Sequence, residues 1–309
     1  MRIANKTLYD NIVSNLSKTS TEMLRANQVV SSGKRINRLS DDPVGLVAVL
    51  DLRSSQAHVE QLERNINMGK SWLNMGESAL TQIEDLLSQT KALCVQMANG
   101  TQDATQRRNA ATVVDGRLRQ IISLANTQVN GRYIFGGTRT DTQPFVFNEG
   151  ASPPNVSYQG NDTAFSVKIG KNTTVEVGRD GETIFGDDGI VWSDPTDGED
   201  NIFKTLLDLK DALITGNDVS AIQGAISKID NHLATVRTMI SNTGARTIRL
   251  EAKENIIQDL KVTYSDRKSK LEDADLAKAI MDLKSKETAY QAALASSARV
   301  MNLSLVNYI

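Results

Sequence analysis

Residues 43–99 read PVGLVAVLDLRSSQAHVEQLERNINMGKSWLNMGESALTQIEDLLSQTKALCVQMAN. Within this stretch Ala48, Leu52, Ser55, Val59, Leu62, Ile66, Gly69, Leu73, Gly76, Leu80, Ile83, Leu87, Thr90, Cys94 and Met97 recur at alternating steps of four and three, without a break. A stripe of that period predicts a single long helix packed against other helices in the manner of a coiled coil. Asp42 supplies an N-cap, Pro43 suits the first helical position, and Asn99-Gly100 marks the stop. At 1.5 Å per residue such a helix extends about 85 Å. Gly69 and Gly76 weaken the helix locally but let a neighbouring element come close.

Working outward, the same spacing returns on both sides. A following helix runs through Ala111, Val114, Leu118, Ile121 and Ala125. In the second half a short helix over 202–214 stops at Gly216-Asn217. The 4-3 spacing then resumes through Ile222, Ile226, Ile229, Leu233, Val236, Ile240, Thr243, Thr247 and Leu250, and is expected to shift to Ile256, Leu260, Tyr264 and Leu271. The chain ends are amphipathic too. Ile3, Leu8, Ile12, Leu16, Thr19, Met23, Ala26 and Val30 form one stripe; Leu276, Ile280, Leu283, Tyr290, Leu294, Met301 and Leu305 form another, and the last residue is Ile309. Most chains end in frayed polar residues. Apolar surface left in water costs roughly 25 cal/mol per Å², so stripes at both extremes must find each other, other subunits, or both.

Composition shifts in the middle. Residues 131–203 hold nine of the fourteen aromatics and residues 144–195 four of the five prolines, in short β-prone runs separated by Gly-Gly at 136–137, Gly150, Gly160, Gly170 and Gly178. That pattern reads as strands and turns. Residues 141–200 carry twelve acids against three bases, a net of −9 beside +7 for the remainder. The expected architecture is mainly α: an elongated, coiled-coil-like helical bundle built from both chain halves, with paired terminal helices and a small β insert. Residues 1–42 with 272–309 form a terminal assembly region, 43–137 with 199–271 the bundle core, and 138–198 a β-rich acidic insert that folds by itself.

The same reading excludes much chemistry. No phosphate-binding glycine loop, dinucleotide fingerprint or zinc spacing is present, so neither an enzyme nor a cofactor or metal site is expected. His58 and His232 are single histidines on helices, and Cys94 lies on the long stripe, where a small apolar side chain packs. Residues 194–200 resemble a calcium loop in composition but not in spacing. The positive charge is dispersed rather than gathered on one face, which argues against nucleic acid. No apolar run approaches the roughly 20 residues of a membrane span. The first residues lack a secretory signal, so a route out of the cell would be one that leaves the chain uncut.

One segment asks for more than a solvated joint between helices: Ser32-Gly33-Lys34-Arg35-Ile36-Asn37 followed by Asp41-Asp42-Pro43-Val44-Gly45. It resembles the motif that links the terminal and core helices in the bacterial flagellin family, and the terminal stripes and nested halves are similar over the entire chain. A second element, Tyr133, Phe135, Gly136 and Gly137 followed by Pro144 and Phe145, is similar to the hook–filament junction members of that family rather than to filament flagellins. The resemblance implies a structural subunit that joins hook to filament through its terminal helices, with Ile3, Leu8, Ile12, Leu16, Leu294, Met301, Leu305 and Ile309 at the interface. It implies as partners hook-associated protein 1, flagellin, other copies in a junction ring and a flagellar export chaperone on the C-terminal region. It also implies secretion through the flagellar export apparatus to the extracellular flagellum. A filament flagellin and a non-flagellar coiled-coil interaction module are the alternatives.

Overall fold

The computed structural model describes residues 2–99, 102–186, 201–215 and 219–306. It contains α1 (Arg2–Ser32), α2 (Pro43–Met97), α3 (Ala104–Ala125), β1 (Gln128–Val129), β2 (Arg132–Tyr133), β3 (Phe145–Asn148), β4 (Asn155–Tyr158), β5 (Ser166–Lys168), β6 (Thr174–Glu176), α4 (Gly181–Phe185), α5 (Ile202–Thr215), α6 (Val219–Glu272) and α7 (Leu276–Val306). The chain is mainly helical, with long packed helices from both halves and a small β region. It divides into two compact units: residues 1–60 with 259–309, and residues 61–258. The long helices α2 and α6 contribute a portion to each.

In the unit 61–258 the stripe on α2 is the core. Leu62, Ile66, Leu73, Leu80, Ile83, Leu87, Thr90, Cys94 and Met97 are all buried. Thr90, polar at a seam position, donates its hydroxyl to the Leu86 carbonyl at 2.7 Å and is thereby satisfied. The α3 residues Val114, Leu118, Ile121 and Ala125 and the α5 residues Phe203, Leu206, Leu209 and Leu213 join them. Asp103 and Gln106 form a reciprocal capping box that starts α3. On α6 the buried positions include Ile222, Ile229, Val236, Thr243, Leu250 and Ile257, each seven residues after the last. The expected change of register after Leu250 does not occur: Ile257 is buried, whereas Ile256 and Leu260 are exposed. A step of seven keeps one face turned inward, and only Ile257 satisfies it.

The strands form three antiparallel pairs, β1–β2, β3–β4 and β5–β6. The first is closed by Asn130 and Gly131, both in the left-handed region (φ 52° and 76°), as a two-residue hairpin turn requires. These pairs pack on the helices instead of standing apart. Phe145 is fully buried, with its ring centroid 4.9 Å from Phe185, 5.1 Å from Tyr158 and 5.3 Å from Phe203 of α5. A Cβ on Gly69 of α2 would lie 3.1 Å from both Val167 of β5 and Val177. The described part of the expected insert therefore shares a compact unit with the helices, because its aromatic and β-branched side chains are part of the helical core. Residues 187–200, which hold six of the twelve acids of 141–200, lie outside the described residues.

Candidate assembly region

In the other unit the ends of the chain meet. Gly33, with φ 69°, ends α1, and its amide donates to the Val29 carbonyl at 2.9 Å. The next residues run beside those after α6. The Arg35 amide donates to the Glu272 carbonyl at 2.7 Å and the Ala274 amide to the Gly33 carbonyl at 2.9 Å. Side chains close the same point. The Glu272 carboxylate, 4% exposed, accepts from Lys34 Nζ at 2.7 Å and from the Arg53 guanidinium. Burial pushes this carboxyl up, but the two cations outweigh burial and hold it below the ordinary carboxylate value. Arg35 donates to the Leu271 carbonyl at 2.8 Å and pairs with Asp42 at 3.4 Å.

The rest of the glycine–aspartate motif builds the start of α2. Ile36 is buried, while Asn37 Nδ2 donates to the Lys34 carbonyl at 2.7 Å. The Asp41 carboxylate accepts the Asn37 and Arg38 amides at 3.1 and 2.8 Å. Asp42 Oδ1 accepts the Gly45 amide at 2.8 Å, so Asp42 caps α2 with Pro43 at its first position. Gly45 gives the cap its room: a Cβ there would sit 2.4 Å from Asp42 Oδ2 and 2.8 Å from Ile36 Cδ1. The exposed Ser32 accepts the Lys34 amide at 3.1 Å.

Helices α1 and α7 pack on each other. The buried and half-buried positions include the series Ile12, Leu16, Thr19, Met23, Ala26 and Val30 on α1, and Ala279, Leu283, Lys286, Tyr290, Ala293, Ser297 and Val300 on α7. Both sets step by four and three. Lys286 Nζ pairs with Glu22 at 2.9 Å, which raises the ammonium pKa and lowers that of the carboxyl. Of the expected interface residues, Ile12 and Leu16 thus lie in the seam within one chain. Leu294 does not: it is 43% exposed, as are Leu276 and Ile280 to a greater degree. The 4-3 period on α7 turns Leu283, Lys286, Tyr290 and several small residues inward and leaves Leu276, Ile280 and Leu294 outward. Ile3, Leu8, Met301 and Leu305 are on the helices, with only their backbone described, and Ile309 is outside the described residues.

The unit is rich in uncovered apolar surface. Of twenty large apolar side chains exposed among the described residues, thirteen belong to it, including Tyr9, Val13, Leu24, Val44 (82% exposed), Val47 and Met281. Its buried apolar residues are Ala26, Ile36, Val49 and Val59 among the described ones. Met281, Ser285, Thr288, Ala289 and Ala292 line a shallow outward surface on α7.

The second motif lies in the unit 61–258 and is scaffolding. Tyr133 pairs with Gln128 across the first hairpin and its amide donates to Thr140. Phe135 stacks edge-on to Phe185 at 5.6 Å. A Cβ on Gly136 would be 2.7 Å from the Arg139 carbonyl, and one on Gly137 (φ 65°) 2.1 Å from Asn161 Oδ1. The Pro144 carbonyl accepts from Gln159, and Phe145 exchanges two hydrogen bonds with the Asn126 side chain at 2.8 and 3.0 Å. An open groove of about 380 Å³ between α2 and α3, lined by Gln82, Asp85, Leu86, Gln120, Ser123 and Leu124, brings no buried charged group together. No group of three or more metal-ligating side chains occurs among the described residues, and none of the described helices is long and apolar enough to cross a membrane.

Residues 3–140 match the bacterial flagellin N-terminal helical region, and residues 226–309 the bacterial flagellin C-terminal helical region. The chain belongs to the bacterial flagellin family. It is 26% identical to flagellar hook-associated protein 3 of Salmonella typhimurium, over 99% of this chain and 98% of that protein. It is equally 26% identical to flagellin of Bacillus subtilis, over 97% and 96% of the two. Among solved structures, the flagellar junction protein FlgL of Legionella pneumophila superposes with a TM-score of 0.57 at 17% identity, covering 74% of this chain and all of that one. At that identity the likeness establishes the fold.

The flagellin-family matches take in α1, α2, α3, α7 and most of α6, and thus every residue of the joint. Residues 141–225, with β3 to β6, lie outside them. Sequence reading missed Glu272, Arg53, Glu22 and Lys286, whose partners are more than two hundred positions away. The signal for one of them was present: Lys286 falls on the 4-3 series between Leu283 and Tyr290, where a charged residue needs a partner.

Proposed function

We propose that this flagellin-family chain is a structural subunit of the bacterial flagellum that joins hook to filament. The observation that carries the assembly part is the terminal unit: it buries few apolar side chains and exposes thirteen large ones, the reverse of a self-sufficient core. At roughly 25 cal/mol per Å², covering those faces by neighbouring subunits drives association. The junction position is supported by the match to hook-associated protein 3 along nearly the full length of both chains. Hook-associated protein 1 lies on the hook side and flagellin on the filament side, with further copies completing a ring. Ile3, Leu8, Met301, Leu305 and Ile309 extend the contact surface at the chain ends, with Leu294 on its outer face. The subunit reaches the extracellular flagellum through the flagellar export apparatus, escorted by a chaperone on its C-terminal region. Its role is mechanical, and no residue is assigned to catalysis.

Purified protein added to hooks that end in hook-associated protein 1 should bind in a saturable, limited number and then accept flagellin. The match to Bacillus subtilis flagellin favours a second reading, a filament subunit. Growth of long filaments from this chain alone would establish that reading and remove the first.

A further inference from the structure

Gly76 is the stripe position of α2 that packing leaves open. A Cβ at Gly69 would stand 3.1 Å from two valines, but one at Gly76 meets only Ile134 Cδ1, at 3.9 Å. The room beside Gly76 belongs to a cavity of about 20 Å³ inside the unit 61–258. Leu73, Leu80, Phe135 and Val177 give it apolar walls, and three polar side chains interrupt them: Trp72 of α2, Thr243 of α6, and Arg179 shortly after β6. Trp72 is 4% exposed, and its indole Nε1–H meets no acceptor among the described residues. A buried donor left unpaired costs more than a typical hydrogen bond contributes. Thr243, also buried, donates its hydroxyl hydrogen to the Met239 carbonyl at 2.8 Å, which leaves its oxygen able to accept. Arg179 is half-buried and adds donors only.

We propose that the notch at Gly76 binds one ordered water molecule, held by Trp72, Arg179 and Thr243. Water both accepts and donates: it takes one hydrogen bond from the indole and one from the guanidinium, and gives one to Thr243 Oγ1. About three partners is the usual complement of an interior water, and about 10–15 Å³ is room enough for it. An anion suits the site less well. It would answer both donors, but it would also meet the lone pairs of Thr243, and the carboxylates of Asp180 and Glu176 already act on Arg179. Glycine keeps the notch free, since a methyl group at position 76 would stand in the water's place. The water joins α2, α6 and the segment after β6 by hydrogen bonds, so the open position of the stripe is a contact mediated by solvent.

The test is a pair of substitutions in the intact chain. Gly76→Ala gains helix propensity, which by itself raises the melting temperature of the unit 61–258 by about 2–4 °C. Once the methyl group displaces the water, the Trp72 N–H is left unpaired, so the melting temperature of Gly76→Ala should stay level or fall. In Trp72→Phe there is no N–H to orphan, and Gly76→Ala added there should recover most of the rise. Equal shifts in the two backgrounds, of either sign, overturn the proposal, and so does a larger rise in the parent. A high-resolution crystal structure of the parent reads the site directly, with density for a water within hydrogen-bond distance of Trp72 Nε1 as the expected result. Absence of that density, or an anomalous signal there after soaking in bromide, overturns it, the second outcome in favour of an anion.

Discussion

At the scale of single residues the joint depends on close quarters. Gly45 leaves room for the Asp42 carboxylate and for Ile36, and a methyl group at 2.4 Å from that carboxylate must displace it. Gly45→Ala would gain helix propensity but break the cap and crowd Ile36, a net loss of about 1–3 kcal/mol. Native-state hydrogen exchange of the first turn of α2 is the measurement. Glu272 makes a different prediction. Lys34 and Arg53 hold its folded pKa below the unfolded value, so the clasp contributes stability above the ordinary carboxylate range and loses it as pH falls through the lowered value. Glu272→Gln should weaken the terminal unit at neutral pH and flatten its acid dependence. An acid profile identical to that of the parent would show that the clasp does not couple to the fold.

Elements differ in how far their own sequence reveals them. The long stripe on α2 was legible because a seven-residue period is a property of one helix, whatever packs on it; from Leu62 to Met97 all its positions but Gly76 are buried. On α6, Ile256 and Ile257 are adjacent and equally apolar, and only the unbroken steps of seven from Ile222 select the second. Composition was a poorer guide to the middle of the chain. Aromatics and turn residues identify strands, but they do not reveal that Phe145 and Val167 face helices. Replacing residues 146–178 by a Gly/Ser linker should therefore lower the melting temperature of the unit 61–258 and broaden its transition, followed by circular dichroism. A transition left intact would mean that the strands rest on the helices without supporting them.

For the molecule as a whole, the ends and the centre divide the work. Residues 61–258 hold most of the buried apolar side chains, whereas the terminal unit exposes them. A chain ending at Val300 lacks Met301, Leu303, Leu305, Val306, Tyr308 and Ile309. Its main thermal transition should match that of the intact protein, while binding to hook ends should fall below detection. A melting temperature reduced in step with binding would assign the tail to the core. The pairing of the ends was legible in outline from the two stripes. The clasp that fastens them was not, because Lys34 and Glu272 are joined across 238 positions and nothing local marks either as the other's partner.

That separation has a temporal consequence. Contacts between distant positions form only after the intervening chain is available, and closing so large a loop is slow. A chain that emerges from its N-terminus first delivers Lys34, Arg35 and Arg53 long before Glu272, and α7 comes last of all. Until then α1 has neither its clasp nor its seam, and most of the stability of a helix in a protein comes from packing its amphipathic face. An unfinished or partly delivered chain consequently cannot display the paired terminal helices.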